Sequence, residues 1–167
     1  MSEAKAGKIE RKYLAHFIDS SFGGTTENYV RLGKDLEELN TEFNADIETK
    51  KNILGELSIV LSGYEASDTV EPYYIEKTDP LSTAIQDIVD NRKVLDDVKT
   101  KVVDVYIWKG ENTTACEAYR EEAYIEITSF GGDTSGVQTA FTVHRTGNRE
   151  KGTFDLATKA FTAAVSA

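Results

Sequence analysis

The chain has very few of the residues from which disulfide frameworks and metal centres are built. It contains one cysteine and two histidines in 167 residues. Cys116 has no second cysteine with which to form an internal disulfide, and this excludes a disulfide-stapled scaffold. His16 and His144 each lie in a strand-like segment beside no further Cys or His, so we expect no metal site.

Positive charge and long apolar runs are also scarce. Lys and Arg number 19 against 29 Asp and Glu, which gives a formal net charge of -10. Binding to the outside of nucleic acid is disfavoured, because it depends on clustered cations. The longest aliphatic run is residues 59–61, and the amino-terminal SEAKAGKIERKY lacks the apolar region of a signal peptide. We therefore expect a protein made in a cytoplasm, without a membrane partner.

The sequence contains no catalytic motif. Its serines lack the Gly-x-Ser-x-Gly elbow of a nucleophile. The glycines of residues 131–136 lack the Gly-Lys-Ser/Thr ending of a phosphate-binding loop, so a loop between strands is the better interpretation. We expect no enzyme activity and no cofactor.

Short strand-like segments dominate the last third of the chain. Ile125 and Ile127 alternate with Tyr124, Glu126 and Thr128, which is the period of a half-buried strand. The pattern predicts a mainly β fold, and the length predicts one domain over residues 1–167. The segments with strand character are 12–19, 29–33, 99–110, 121–130, 137–145 and 152–157.

One helix is predicted over residues 79–92. Asp79 suits the N-cap and Pro80 the first helical position. An apolar stripe follows at helical spacing, formed by Leu81, Ile85, Ile88 and Val89.

Residues 35–55 fit two patterns equally well. Leu36, Leu39, Phe43 and Ile47 form a helical stripe. Read as a strand, the odd positions 39–47 alternate with polar even positions. Periodicity alone leaves helix and strand open.

Four stretches, in this order along the chain, resemble a known family. They are DLEELNTEFNADIETKKNILGE from Asp35, SGYEASDTVEPYY from Ser62, TDPLSTAIQDIVDN from Thr78 and GGDTSGVQTAFTVHRTGNREKGTFD from Gly131. Together they resemble the phage major tail proteins, which form the tail tube of long-tailed phages. The resemblance extends from about Tyr13 to about Leu156.

This resemblance implies a β-sandwich or small barrel with the flanking helix at 79–92, a long hairpin at about 35–56 and a terminal hairpin at 145–154. It implies a structural virion protein of the tail that is not an enzyme. Six copies would close a ring, and stacked rings would form the conduit for genome delivery. The implied partners are further copies of the chain, tape measure and tail terminator proteins, and DNA that passes without specific binding.

The same comparison suggests residues for two surfaces. The long hairpin would reach the next ring, with Glu42, Asp46, Glu48, Lys50 and Lys51 as contact candidates. Asp104 and Glu126, at polar strand positions, are candidates for the lumen, where negative charge would repel phosphate.

Two other interpretations stay open at this point. One is the inner tube of a contractile injection system or of a phage-tail-like bacteriocin. The other is a β-sandwich binding module that recognises carbohydrate with exposed aromatic side chains, for which the candidates are Tyr73, Tyr74, Tyr106 and Trp108.

Overall fold

Antiparallel strands make up most of the chain, as the sequence predicts. A computed structural model describes residues 7–109 and 112–164, so the predicted domain of 1–167 also includes residues 1–6, 110–111 and 165–167, which lie outside the described residues. The elements in chain order are β1 (Leu14–Asp19), β2 (Tyr29–Leu32), β3 (Thr41–Glu42), β4 (Ala45–Lys51), β5 (Leu57–Tyr64), β6 (Ser67–Tyr74), α1 (Pro80–Asn91), β7 (Lys99–Tyr106), β8 (Cys116–Asp133), β9 (Gly136–Asp155) and β10 (Ala160–Ala163).

Eight of these strands form one large sheet. Its order is β2-β1-β7-β8-β9-β6-β3, and β10 pairs with the end of β9. All neighbouring pairs are antiparallel. β4 and β5 pair only with each other, as a separate two-stranded sheet.

The central strands are buried on both faces. In β1, Ile18 belongs to one hydrophobic cluster and its neighbour Phe17 to the other. Val102 and Val103 divide in the same way on β7. Successive strand residues point to opposite faces, so each cluster covers one face of the sheet.

The helix covers one of these faces, and its prediction is confirmed. The Asp79 carboxylate accepts a hydrogen bond of 3.0 Å from the Leu81 amide, which caps the first turn. Arg92 ends the helix in a left-handed conformation, with φ of 50°. Leu81 and Ile85 are fully buried in the cluster that contains Ile18.

A cluster of buried charges lies beside this core, and we call it the Arg145 cluster. The Arg145 guanidinium donates to Asp68 Oδ2 at 2.5 Å, to Asp104 Oδ2 at 2.7 Å and to Glu121 Oε1 at 3.3 Å. His16 Nδ1 lies 2.8 Å from Asp104 Oδ1. Because these residues come from β1, β6, β7, β8 and β9, the cluster joins five strands.

The ionisation of Asp104 contributes to stability. Burial alone would raise the pKa of this carboxyl, but its hydrogen bonds with His16 and Arg145 outweigh burial and hold the pKa below its usual range. A depressed carboxyl pKa stabilises the fold above the ordinary value of about 4. This contribution is lost progressively as the pH falls below that value.

Two hairpin positions differ from the sequence-based expectation. The long hairpin pairs residues 45–51 with 57–64, further along than 35–56. Leu36 and Leu39, which looked like its beginning, instead pack on the core of the body. The terminal hairpin at 145–154 is wrong, because β9 continues through these residues opposite β8. The pairing register shifts between Glu121 and Ala123, so the glycine-containing residues 146–148 form an irregularity within β9 and not a turn between two strands.

Phe154 tests the packing of the face opposite the helix. It is fully buried, with ring centroids 4.4 Å from Phe17 and 5.8 Å from Tyr29. We expect Phe154→Ala to lower the free energy of unfolding by about 3–5 kcal/mol, because it leaves a cavity. Denaturant unfolding followed by circular dichroism measures the change. Phe130→Ala, at a position that is 40% exposed, is the control, and equal losses in both variants would contradict this packing.

Arg145 tests the charge cluster. We expect Arg145→Met to cost about 3–5 kcal/mol, because it leaves the buried Asp68 carboxylate without its cation and removes one cation from Asp104 and Glu121. Arg31→Met on the exposed edge strand β2 is the matched control, with an expected change within about 0.5 kcal/mol. The same unfolding experiment compares them. An Arg145→Met variant as stable as the parent would show that the cluster does not hold the strands together.

Candidate interaction surface

Among the described residues, the strands of the β4–β5 hairpin pair only with each other; we call residues 45–64 the hairpin arm. Every residue of β4 is exposed, and only Gly63 of β5 is not. The arm and its flank also carry nine of the fourteen exposed large hydrophobic side chains of the described residues: Phe43, Ile47, Ile53, Leu54, Leu57, Ile59, Val60, Leu61 and Tyr64. Apolar exposure on this scale marks an interaction surface.

The strand register gives the arm one apolar face. Ile47 is paired with Leu61, and Thr49 with Ile59. Directly opposed residues in an antiparallel pair share a face. One side of the ribbon therefore carries a row of Ile47, Leu57, Ile59 and Leu61, which are 47–63% exposed.

The other face of the arm is largely polar. Glu48 is opposite Val60, and Lys50 is opposite Ser58. Glu48 and Lys50 form an exposed ion pair of 3.2 Å. An exposed pair of this kind adds little stability, and its role is to keep this face soluble.

The tip of the arm, residues 52–56, is ordered by its own hydrogen bonds. The Asn52 side-chain oxygen accepts from the backbone amides of Leu54 and Glu56, both at 2.9 Å. Gly55 takes the positive φ of 82° that this turn needs. The turn leaves Ile53 and Leu54 projecting into solvent.

The base of the arm is attached to the body through Asn44 and Arg145. The Asn44 side-chain amide donates to Glu65 O at 3.0 Å and to Ser67 Oγ at 3.2 Å. The Arg145 amide donates to Ala66 O at 2.9 Å, and its guanidinium binds Asp68. The Arg145 cluster thus fixes the strand into which the arm returns.

The five contact candidates from the sequence lie at or in this arm. Glu42 is on the short β3 at its base, and the other four are exposed on β4. Lys51 directly precedes the tip, residues 52–56. A contact with another copy stays a prediction for all five residues, which are Glu42, Asp46, Glu48, Lys50 and Lys51.

The structure separates the two lumen candidates. Asp104 is only 6% exposed and belongs to the Arg145 cluster, so the expectation that it faces an open surface is wrong. The alternation of apolar and polar residues on β7 predicted one exposed face, but both faces of that strand are covered. Glu126 is exposed and lies 2.8 Å from His144 Nε2. It remains a surface candidate.

The four aromatic candidates do not form one exposed set. Tyr73 is buried, with its ring against Phe141 and its hydroxyl donating to Asp79. Its expected exposure is therefore wrong. The rings of Tyr106 and Trp108 are in edge contact, with centroids 5.2 Å apart. Tyr106 is on β7, and β8 and β9 lie between it and β6, the strand of Tyr74.

A second apolar surface lies beside the helix, and we call it the helix groove. It has a volume of about 830 Å³ and runs between the end of α1 and β8. Val94 and Leu95 are exposed at its edge, and Phe130 lies at its end. Arg92, Lys93, Glu126 and His144 supply its polar groups.

Sequence reasoning missed the apolar residues that dominate the arm. It selected charged positions for contact, whereas the exposed surface is formed largely by Leu57, Ile59, Leu61 and the tip pair Ile53 and Leu54. A signal was present, because Leu57, Ile59 and Leu61 alternate after an Asn-x-x-Gly turn. This signal does not reveal that both faces of the ribbon are exposed.

Other kinds of site find no support in the described part of the chain. Residues 7–109 and 112–164 contain no group of three or more His, Cys, Asp or Glu side chains arranged to hold a metal ion. Within the same ranges, no helix has the length and apolar character needed to cross a membrane.

Comparison with known proteins adds no family. Neither a scan against protein-family models nor a search of curated proteins gives a match to this chain. The interaction surface therefore has to be interpreted from its own residues.

The apolar face of the arm makes a direct prediction about stability. We expect the triple variant Leu57→Ser, Ile59→Ser, Leu61→Ser to leave the body folded, because none of these residues belongs to either hydrophobic cluster. Thermal unfolding of dilute protein by circular dichroism should match the parent to within a few degrees, which corresponds to about 1 kcal/mol or less. A collapse of the melting transition would show that the arm packs on its own body.

Proposed function

We propose that this chain is a structural subunit that self-assembles through its hairpin arm into stacked rings, as the tail tube of a long-tailed phage. The observation that carries the proposal is the arm itself. A two-stranded hairpin with both faces in water is marginally stable, and its apolar face needs a partner. Another copy of the chain is present wherever the subunit is made.

The position of the arm supports an open assembly. The arm is exposed on both faces and its strands pair only with each other, so a contact of its tip with the body of the next copy would join two different surfaces. Contacts between two different surfaces are heterologous, and they continue into rings or filaments until the geometry closes. A tube is the product expected when rings also stack.

The remaining features of the tube come from the family resemblance. These are six copies in a ring, the tape measure and terminator partners, and passage of DNA without specific binding. The net charge of -10 in each chain agrees with a conduit that does not retain phosphate. Glu126 is the remaining lumen candidate, since Asp104 is buried.

The inner tube of a contractile injection system or of a tail-like bacteriocin would use the same arm in the same way. The binding module is less well supported, because Tyr73 is part of the core. The inner-tube alternative differs from the proposal only in the particle that contains the tube. The binding module would not assemble at all.

Assembly of paired surface variants tests the proposal. Leu57→Ser, Ile59→Ser, Leu61→Ser removes the apolar face of the arm, whereas Val94→Ser, Leu95→Ser removes exposed apolar side chains elsewhere. We expect the arm variant to stay monomeric in sedimentation velocity, because its contact face is polar, and the second variant to assemble like the parent. Tubes of normal length from the arm variant would refute the proposed role of the arm.

A further inference from the structure

A pocket of about 510 Å³ lies next to the base of the arm, between strands β1 and β2 and the segment of residues 33–39. We call it the basic pocket. Four leucines line it together with four cationic side chains and two carboxylates, and the two lysines are paired with Glu10 and Glu76. The leucines are Leu14, Leu32, Leu36 and Leu39, and the cations are Arg11, Lys12, Arg31 and Lys34.

Two of the cations have no carboxylate partner among the described residues. Arg11 donates to Leu14 O at 2.6 Å and to Leu39 O at 3.0 Å. Arg31 donates to Lys12 O at 3.2 Å. Both guanidinium groups are thus oriented by backbone carbonyls, and neither forms an ion pair with a described residue.

The tip of the arm has the complementary composition. Ile53 and Leu54 project into solvent, and Glu56 follows them. The Glu56 carboxylate accepts from the Asn52 side-chain amide at 2.9 Å, and within the described ranges no cation pairs with it. Residues 42–65 together carry five carboxylates and two lysines. Aliphatic side chains with an unpaired carboxylate fit a leucine-lined pocket with unpaired arginines.

The arm cannot fill its own pocket. Its paired strands extend roughly 25 Å at ~3.3 Å per residue, and this places the tip far from the base. The pocket is formed by residues directly before β3, which is at the base. Tip and pocket are therefore separated by the length of the arm.

We propose that the basic pocket receives the tip of the arm from a second copy of this chain, an inference that rests on the proposed self-assembly. Leu54 enters among the leucines, and Glu56 pairs with Arg31 or Arg11. The contact is heterologous, so each added copy presents a new tip and a new pocket, and the rotation between copies decides whether the series closes into a ring or continues along the tube.

The helix groove is the competing acceptor. It is larger, but its lysine is already paired, with Lys93 Nζ 2.5 Å from Asp87 Oδ2. Glu126 also places a carboxylate along it. The groove therefore offers Glu56 one guanidinium without a carboxylate partner among the described residues, Arg92, whereas the basic pocket offers two, Arg11 and Arg31.

Disulfide trapping between two single variants tests the contact directly. Leu54→Cys protein is mixed with Glu38→Cys protein, whose new thiol lies in the basic pocket, and is oxidised under assembling conditions. Leu54→Cys mixed with Leu95→Cys probes the helix groove. The native Cys116 is buried, and the parent protein is the control for its reactivity. We expect the mixed disulfide only in the first pair.

Charge exchange provides the second measurement. We expect Arg31→Glu to reduce assembly because it places a carboxylate against Glu56, and Arg31→Glu combined with Glu56→Lys to restore it. Arg92→Glu at the helix groove is the matched control and should assemble normally.

The outcomes distinguish this inference from the proposal beneath it. Trapping through Leu95, or normal assembly of Arg31→Glu without any trapping through Glu38, would overturn the basic pocket while leaving self-assembly intact. A parent protein that stays monomeric under every condition would overturn both.

Discussion

A two-stranded ribbon cannot bury its own faces, and the proposed function of this protein depends on that constraint. The large sheet solves the same problem internally, because the helix covers one face and the side chains of the other face pack together around Phe154. The hairpin arm has no such cover, although Ile47, Leu57, Ile59 and Leu61 form a continuous apolar row. A partner outside the chain is the physical solution that remains.

The Arg145 cluster fixes the strand at the base of the arm. An arm on a loose base would lose conformational entropy in each contact, which weakens association. Here the strand that follows the arm is fixed by Asp68 and by the Ala66 carbonyl, both held by Arg145. The base of the arm is thereby ordered when the chain folds. Its conformational entropy is lost on folding, and not in the proposed assembly.

Sequence reasoning predicted the fold class and the helix because both depend on local signals. Asp79, Pro80 and the stripe from Leu81 to Ile88 define the helix without tertiary information. The position of the arm was less predictable, since Leu39 continues its alternation yet packs on the body, as Leu36 does. Asp104 was misassigned for a related reason: alternation shows which residues share a face, not whether that face is covered. The unpaired arginines of the basic pocket are oriented in part by the carbonyls of Leu39 and Lys12, which are distant in sequence, so no local pattern reveals them.

The central claim is that the arm is buried between copies of the chain. Electron microscopy of the purified parent protein over a range of concentrations tests it most directly. The account predicts rings and stacked tubes in which residues 45–64 of each subunit lie against a neighbour. A protein that stays monomeric at every concentration, or tubes in which the arm projects into solvent, would contradict it.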